Sequence, residues 1–258
     1  METNTKVILI LVDGMRPDAI AASGNAWAPE FLRQCLYTLK ARTVMPSVTL
    51  PCHMSLFHSV TPERHGITTN HYIPMARPLD GLVERLHAEG KHCAFFYDWE
   101  ELRDLSRPGN LQMSFCASEL YHADADVRVT DAALKYLAED DPDFAFVYLG
   151  QTDSDGHDHG WMGPEYLARV DAAFNLIRRI REGVPADTAI LITADHGGHD
   201  RDHGHDIPED MTIPLILSGP MFTPGPLAEG ARIIDIAPTI AKLLGVQPAR
   251  EWEGKPLV

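Results

Sequence analysis

Aspartate and histidine collect at three points along this chain, each directly after an apolar run. Asp13 follows 7–12, an Asp153-x-x-x-His157 motif follows 144–149, and Asp195-His196-Gly197-Gly198 follows 188–193. Six of the 13 histidines (His157, His159, His196, His199, His203 and His205) lie between positions 157 and 205. Carboxylates mixed with imidazoles suit zinc, manganese or iron, whereas calcium and magnesium favour oxygen ligands alone. With His203 included, three aspartates and three histidines are at hand, enough for two ions sharing a site. Two metals about 4 Å apart stabilise both the attacking and the leaving oxygen of an in-line phosphoryl displacement. A single Asp after a strand is an ordinary turn former or helix cap. It is the joint occurrence of Asp-x-x-x-His and Asp-His-Gly-Gly that points to metal chemistry.

A second candidate segment is 43–71, TVMPSVTLPCHMSLFHSVTPERHGITTNH. It offers a hydroxyl nucleophile, Thr49, followed by Pro51 and an amphipathic run. A threonine at a helix start has its oxygen near free backbone N–H groups and the positive end of the helix, which favours both an alkoxide and the phosphate it attacks. A coordinated metal lowers the hydroxyl pKa further. Threonine is also a common N-cap, and the two roles are compatible.

These residues need elements to position them. The continuous apolar runs 7–12, 91–97, 144–149, 188–193 and 212–217 read as strands buried on both faces. Helical patterns lie between them, over 78–89, 126–139, 164–182 and 233–244. Strands alternating with helices of this length predict an α/β fold, a mostly parallel central sheet with helices on both faces. In such sheets ligands bind beyond the carboxyl ends of the strands, where all three Asp/His motifs fall. The Pro/Gly-rich stretch 218–226 reads as a surface turn, so residues 1–258 are expected to form a single domain.

Composition bounds the partners. Of the 258 residues 45% are hydrophobic, and 37 acidic residues against 22 basic ones give a formal net charge of -15. That argues against coating a nucleic-acid duplex, which needs a basic, phosphate-neutralising surface. The cysteines at 35, 52, 93 and 116 show no paired spacing, consistent with reduced thiols. The N-terminal METNTK and its six-residue apolar run are too short for a signal-peptide core, and no stretch approaches twenty apolar residues. A soluble, cytoplasmic protein with no membrane partner is the expectation.

Taken together, VILILVDGMRPD, TLPCH…TPERHGITTN, TDSDGH, ADHGG and HGHD…PEDMTIPLILSGP, from Val7 to about Pro220, resemble the alkaline phosphatase superfamily. Within it they look like the nucleotide pyrophosphatase/phosphodiesterase branch. The resemblance implies an alkaline-phosphatase-like fold, a metal-dependent phosphohydrolase domain with a minimal cap, and two divalent ions, zinc favoured over manganese or iron. It implies that Asp153, His157 and His203 hold one metal, and that Asp13, Asp195 and His196 hold the other, with Thr49 contacting the second ion as nucleophile. The alternative to His203 is His205. Asn70 matches the family asparagine that binds a phosphoryl oxygen, and the backbone N–H of Leu50 is its expected companion donor. The reaction implied is cleavage of phosphodiester or pyrophosphate bonds in small phosphate-ester or nucleotide-like substrates, through a covalent phospho-threonine.

The chain departs from the family pattern in three ways. Cys52 replaces a frequent asparagine and reads as a buried small residue. Leu50 replaces a frequent aromatic, so a stacking face for a nucleobase is missing there. The chain is also much shorter than most relatives, which implies an open site tolerant of several leaving groups. Trp161 is expected either to line the substrate entrance or to pack on the surface as a lid. His159, His199 and His205 read as outer or solvent-facing neighbours, and His53 and His65 as locally hydrogen-bonded. Rival readings are a phosphomonoesterase, with Arg16 and Arg64 as candidate charge-binding residues, a phosphonate hydrolase, and a non-catalytic metal-binding regulator. A sulfatase is disfavoured because Thr49 stands where its modified residue would be, and a phosphosugar mutase because it carries a large extra domain.

Overall fold

The computed structural model describes residues 5–117 and 122–258; residues 1–4 of the N-terminal reading lie outside them. Val7–Val12 forms β1, with all six residues buried. It is followed by β2 (Leu36–Arg42), β3 (Cys93–Tyr97), β4 (Met113–Cys116), β5 (Phe144–Leu149), β6 (Ala189–Thr193), β7 (Thr212–Ser218) and the two-residue β8 (Gly225–Pro226). One eight-stranded sheet results, in the order β4-β3-β5-β1-β6-β7-β2-β8. From β4 to β6 every pairing is parallel. β7 runs antiparallel to β6, and β2 antiparallel to β7, so the mostly parallel sheet carries an antiparallel margin.

The buried strands are the ones whose apolar runs are continuous. β1, β3, β5 and β6 are buried at every residue, which requires cover on both faces. Two helix groups supply it. Ala125–Asp140 and Gln151–His159 both pack against the long helix Pro164–Gly183, while Thr49–His58, Leu82–Ala88 and Ile236–Leu243 pack together. The expected helix over 78–89 begins later, at Leu82, because the Glu84 carboxylate accepts the Gly81 N–H at 3.0 Å and sets the start there. The expected helix over 233–244 opens as a 3-10 turn, Ile233–Asp235, in which Asp235 accepts the Arg232 N–H at 2.9 Å.

Three adjacent strands matter for function. β1 lies between β5 and β6, and all three point their carboxyl ends the same way. Asp13 leaves β1, the helix Gln151–His159 leaves β5, and Asp195-His196 leaves β6.

Candidate active site

Asp13 is fixed at the end of β1 by donating its N–H to the Leu149 carbonyl at 3.0 Å. Asp153 and His157 sit one turn apart on Gln151–His159, so both side chains share a helix face. His203 comes from the loop after β6. Thr49 is the first residue of Thr49–His58, directly after the extended Val48.

The six expected ligands fall into two groups. Asp13, Asp195 and His196 each present a ligand atom within 4.8 Å of the others, and so do Asp153, His157 and His203. His196 Nε2 lies 3.3 Å from Asp13 Oδ1 and 3.4 Å from Asp195 Oδ2. In the second group His157 Nε2 is 3.5 Å from Asp153 Oδ2, and His203 Nε2 is 3.7 Å from Asp153 Oδ1. Tetrahedral coordination at roughly 2 Å separates neighbouring ligand atoms by about 3.3 Å, so these spacings fit a divalent ion.

The hydrogen bonds orient the rings for that role. Nδ1 of His196 donates to Gly197 O at 2.8 Å, that of His157 to Arg201 O at 3.0 Å, and that of His203 to Ser47 O at 2.8 Å. Each bond spends the Nδ1 proton and leaves the Nε2 lone pair facing the carboxylates. On the carboxylate side, Asp13 Oδ1, Asp153 Oδ1 and Asp195 Oδ2 are buried without a hydrogen-bond partner. Buried oxygens are normally satisfied, and three converging exceptions fit a cation as partner. The outer oxygens are held: the Tyr148 hydroxyl donates to Asp13 Oδ2, and the Gly14 N–H donates to Asp195 Oδ1 at 3.2 Å.

Burial sets the protonation states. It pushes the Asp13 carboxyl well above the usual range, with Asp195 and Asp153 adding to the rise. Asp153 is raised to about 7, chiefly by burial, with His157 opposing. Burial lowers His196 to about 4 and His203 to about 3, so both imidazoles are neutral near pH 7, the ligating form.

Thr49 Oγ1 lies 3.3 Å from His196 Nε2, beside the Asp13 group. The Asn70 side chain is exposed and its Oδ1 accepts the Leu50 N–H at 2.9 Å. This corrects the expectation that Leu50 N–H and Asn70 are parallel donors. Leu50 N–H instead anchors the amide, which leaves Asn70 Nδ2 as the free donor. The Leu50 side chain is wholly buried. A cavity of about 310 Å³ joins Asp13, Thr49, Asn70, Asp153 and His157 with Trp99 and Tyr148. A larger groove of about 480 Å³ beside β2 and β8 contains no such Asp/His grouping.

The other sequence candidates separate cleanly. His203, not His205, joins Asp153 and His157; His205 and His199 face the buried Asp210 instead. His53 donates from Nδ1 to Thr49 O at 2.8 Å, and His65 bonds Ser55 Oγ at 3.0 Å, both local as expected. Cys52 is fully buried. Arg16 is tied to Asp18 and to the Gly198 carbonyl, and among the described residues no arginine lines the 310 Å³ cavity. Trp161 is neither an entrance residue nor a surface lid. It is buried, donates Nε1–H to Gly14 O at 2.9 Å, and meets the His157 ring edge-on at 5.0 Å. Tyr148 and Trp99 escaped the sequence reading. Their one signal is position, within two residues of a strand's carboxyl end.

Comparison with known proteins bears on this geometry. The sequence pattern described as type I phosphodiesterase / nucleotide pyrophosphatase matches residues 7–212. The chain belongs to that family. Murine ectonucleotide pyrophosphatase/phosphodiesterase 5 superposes with a TM-score of 0.80 at 14% identity, covering 95% of this family member and 96% of that chain. An inactive variant of the same murine protein, in complex with AMP, superposes at 0.78. The phosphonate monoester hydrolase of Agrobacterium radiobacter gives 0.76 at 15% identity, over 98% of this chain and 76% of that one. Among curated sequences, the 2,3-bisphosphoglycerate-independent phosphoglycerate mutase of Rhodopirellula baltica is 32% identical over 138 residues, 50% of this chain. The chain spans about a quarter of that mutase's length (25%).

Proposed function

We propose that this family member is a two-metal phosphodiester or pyrophosphate hydrolase acting through a covalent phospho-threonine at Thr49. The observation that carries the reading is Thr49 Oγ1 at a helix start, 3.3 Å from His196 Nε2, in one cavity with residues of both ligand groups. Asp13, Asp195 and His196 would hold one divalent ion and Asp153, His157 and His203 the other, with zinc favoured by the imidazole share. Bound there, the ions supply Lewis acidity to the phosphoryl oxygens and to the attacking hydroxyl groups. Thr49 attacks phosphorus, the alcohol or phosphate leaves, and water then hydrolyses the phospho-threonine. Asn70 Nδ2 donates to an equatorial oxygen as charge develops, while Leu50 N–H keeps the amide in register.

Among the described residues the cavity is lined without arginine, which favours a diester over a monoester, whose extra charge asks for a further cation. Trp99 lines the cavity and is the candidate stacking surface that Leu50 does not provide, for nucleotide-like or aromatic groups of the substrate. We read residues 1–258 as one catalytic domain with a minimal cap, which the single eight-stranded sheet supports. No helix among the described residues is long and apolar enough to cross a membrane. The four cysteines are free thiols, which supports a cytoplasmic setting.

The test is a panel run with zinc-loaded protein on bis-p-nitrophenyl phosphate, p-nitrophenyl phosphate, p-nitrophenyl sulfate and phosphonoacetate. Chelator-sensitive hydrolysis with the diester preferred is expected. Preference for phosphonoacetate would favour a phosphonate hydrolase, and hydrolysis of none would favour a non-catalytic regulator.

A further inference from the structure

One buried carboxylate behind the ligand groups has no part in the proposed reaction. Asp210 lies in the short helix Pro208–Met211 and is completely inaccessible to solvent. It grips the segment 196–205 at three places. Its backbone oxygen accepts the Gly197 N–H at 2.8 Å, next to the ligand His196. Its Oδ1 accepts His199 Nδ1–H at 2.8 Å, and its Oδ2 accepts the His205 N–H at 2.9 Å, two residues past the ligand His203. His199 in turn closes a tight turn, exchanging backbone hydrogen bonds of 2.9 Å with Asp202 in both directions. Within that turn Arg201 O accepts the Nδ1 proton of His157, and the turn's last residue, Asp202, is followed directly by His203.

We propose that Asp210, acting with His199, is a positioning residue for both ligand groups. One carboxylate fixes the neighbours of His196 and His203, and through the 199–202 turn it fixes the carbonyl that aims His157. The inference rests on the two-metal reading above. His199, His205 and Asp210 also lie close enough to hold an ion themselves. Their chemistry differs from that of the other two groups. Both Asp210 oxygens already accept hydrogen bonds, whereas Asp13, Asp153 and Asp195 each keep a buried oxygen without a partner. Asp210 is thus committed to holding the chain, as outer partners of metal ligands are.

Zinc content and zinc affinity, measured against a chromophoric chelator, decide the matter in wild type, His203→Ala, Asp210→Asn, His199→Ala and His199→Asn. Wild type is expected to bind two ions and His203→Ala one, which checks the underlying reading. Asp210→Asn and His199→Ala should weaken zinc binding by about 10- to 100-fold, the usual effect of losing an outer partner. His199→Asn should retain wild-type affinity, because its Nδ2 reproduces the Nδ1 donor, a rescue that mere loss of packing would not give. His199 is partly exposed, with 28% of its side chain accessible, so its variants should fold even if Asp210→Asn does not. Two ions in wild type with unchanged affinity in His199→Ala would overturn this inference alone. So would three ions in wild type with only the third lost in His199→Ala. A wild type that binds no zinc would overturn the two-metal reading and this inference with it.

Discussion

At the scale of single residues, the site is built from groups that resist carrying charge without a cation. Asp13, Asp153 and Asp195 are packed together, and burial raises all three carboxyls. Their energetic conflict is resolved when positive charge sits among them. Asp153 makes this measurable, because its carboxyl titrates at about 7 whereas His203 is neutral down to about 3. A metal entering this group needs the carboxylate, so below pH 7 it must displace a proton. Zinc affinity at this group should therefore rise with pH from about 5 to 7 and gain little above that on Asp153's account. Calorimetric titration at pH 6 in buffers of different ionisation enthalpy should detect the released proton. Affinity that is flat between pH 5 and 7 would contradict the assignment of Asp153 as a ligand.

At the scale of elements, three neighbouring strand ends bring the two groups together. β5, β1 and β6 are hydrogen-bonded side by side, with β1 in the middle, so their carboxyl ends lie about 4.8 Å apart from one strand to the next. Trp161 braces this arrangement from behind. A Cβ at Gly156 would stand 2.6 Å from its indole, and one at Gly198 2.3 Å. Gly156→Ala should push Trp161 off the His157 ring and cost about 1–3 kcal/mol, as overpacking does, read by denaturant unfolding. Full stability and full zinc affinity in that variant would remove Trp161 from the account.

The same elements show what can be read from sequence. β1, β5 and β6 were legible because full burial leaves an unbroken apolar run. The helix Gln151–His159 was not, because QTDSDGHDH has no apolar stripe; it is held by packing on Pro164–Gly183. β2 was missed because its residues are mostly half-exposed and break the pattern. The residues that cluster as two candidate ligand groups were legible from motif order. The anchoring of Asn70 by Leu50 N–H was not, since no spacing records which end of an amide is bonded.

At the scale of the whole molecule, a formal charge of -15 would repel an anionic phosphate ester. The fold answers locally. It gathers aspartates and histidines at the carboxyl ends of three adjacent strands, so that under the proposed function a reacting phosphate would meet metal ions instead of the acidic surface. Thr49 is the proposed nucleophile on which this reading turns, and one comparison tests it most directly. Wild type and Thr49→Ala, both zinc-loaded, should be assayed on bis-p-nitrophenyl phosphate with metal content measured on the same samples. Thr49→Ala is expected to lose most of the hydrolysis while keeping two ions per chain. Full activity in Thr49→Ala with both ions bound would contradict it.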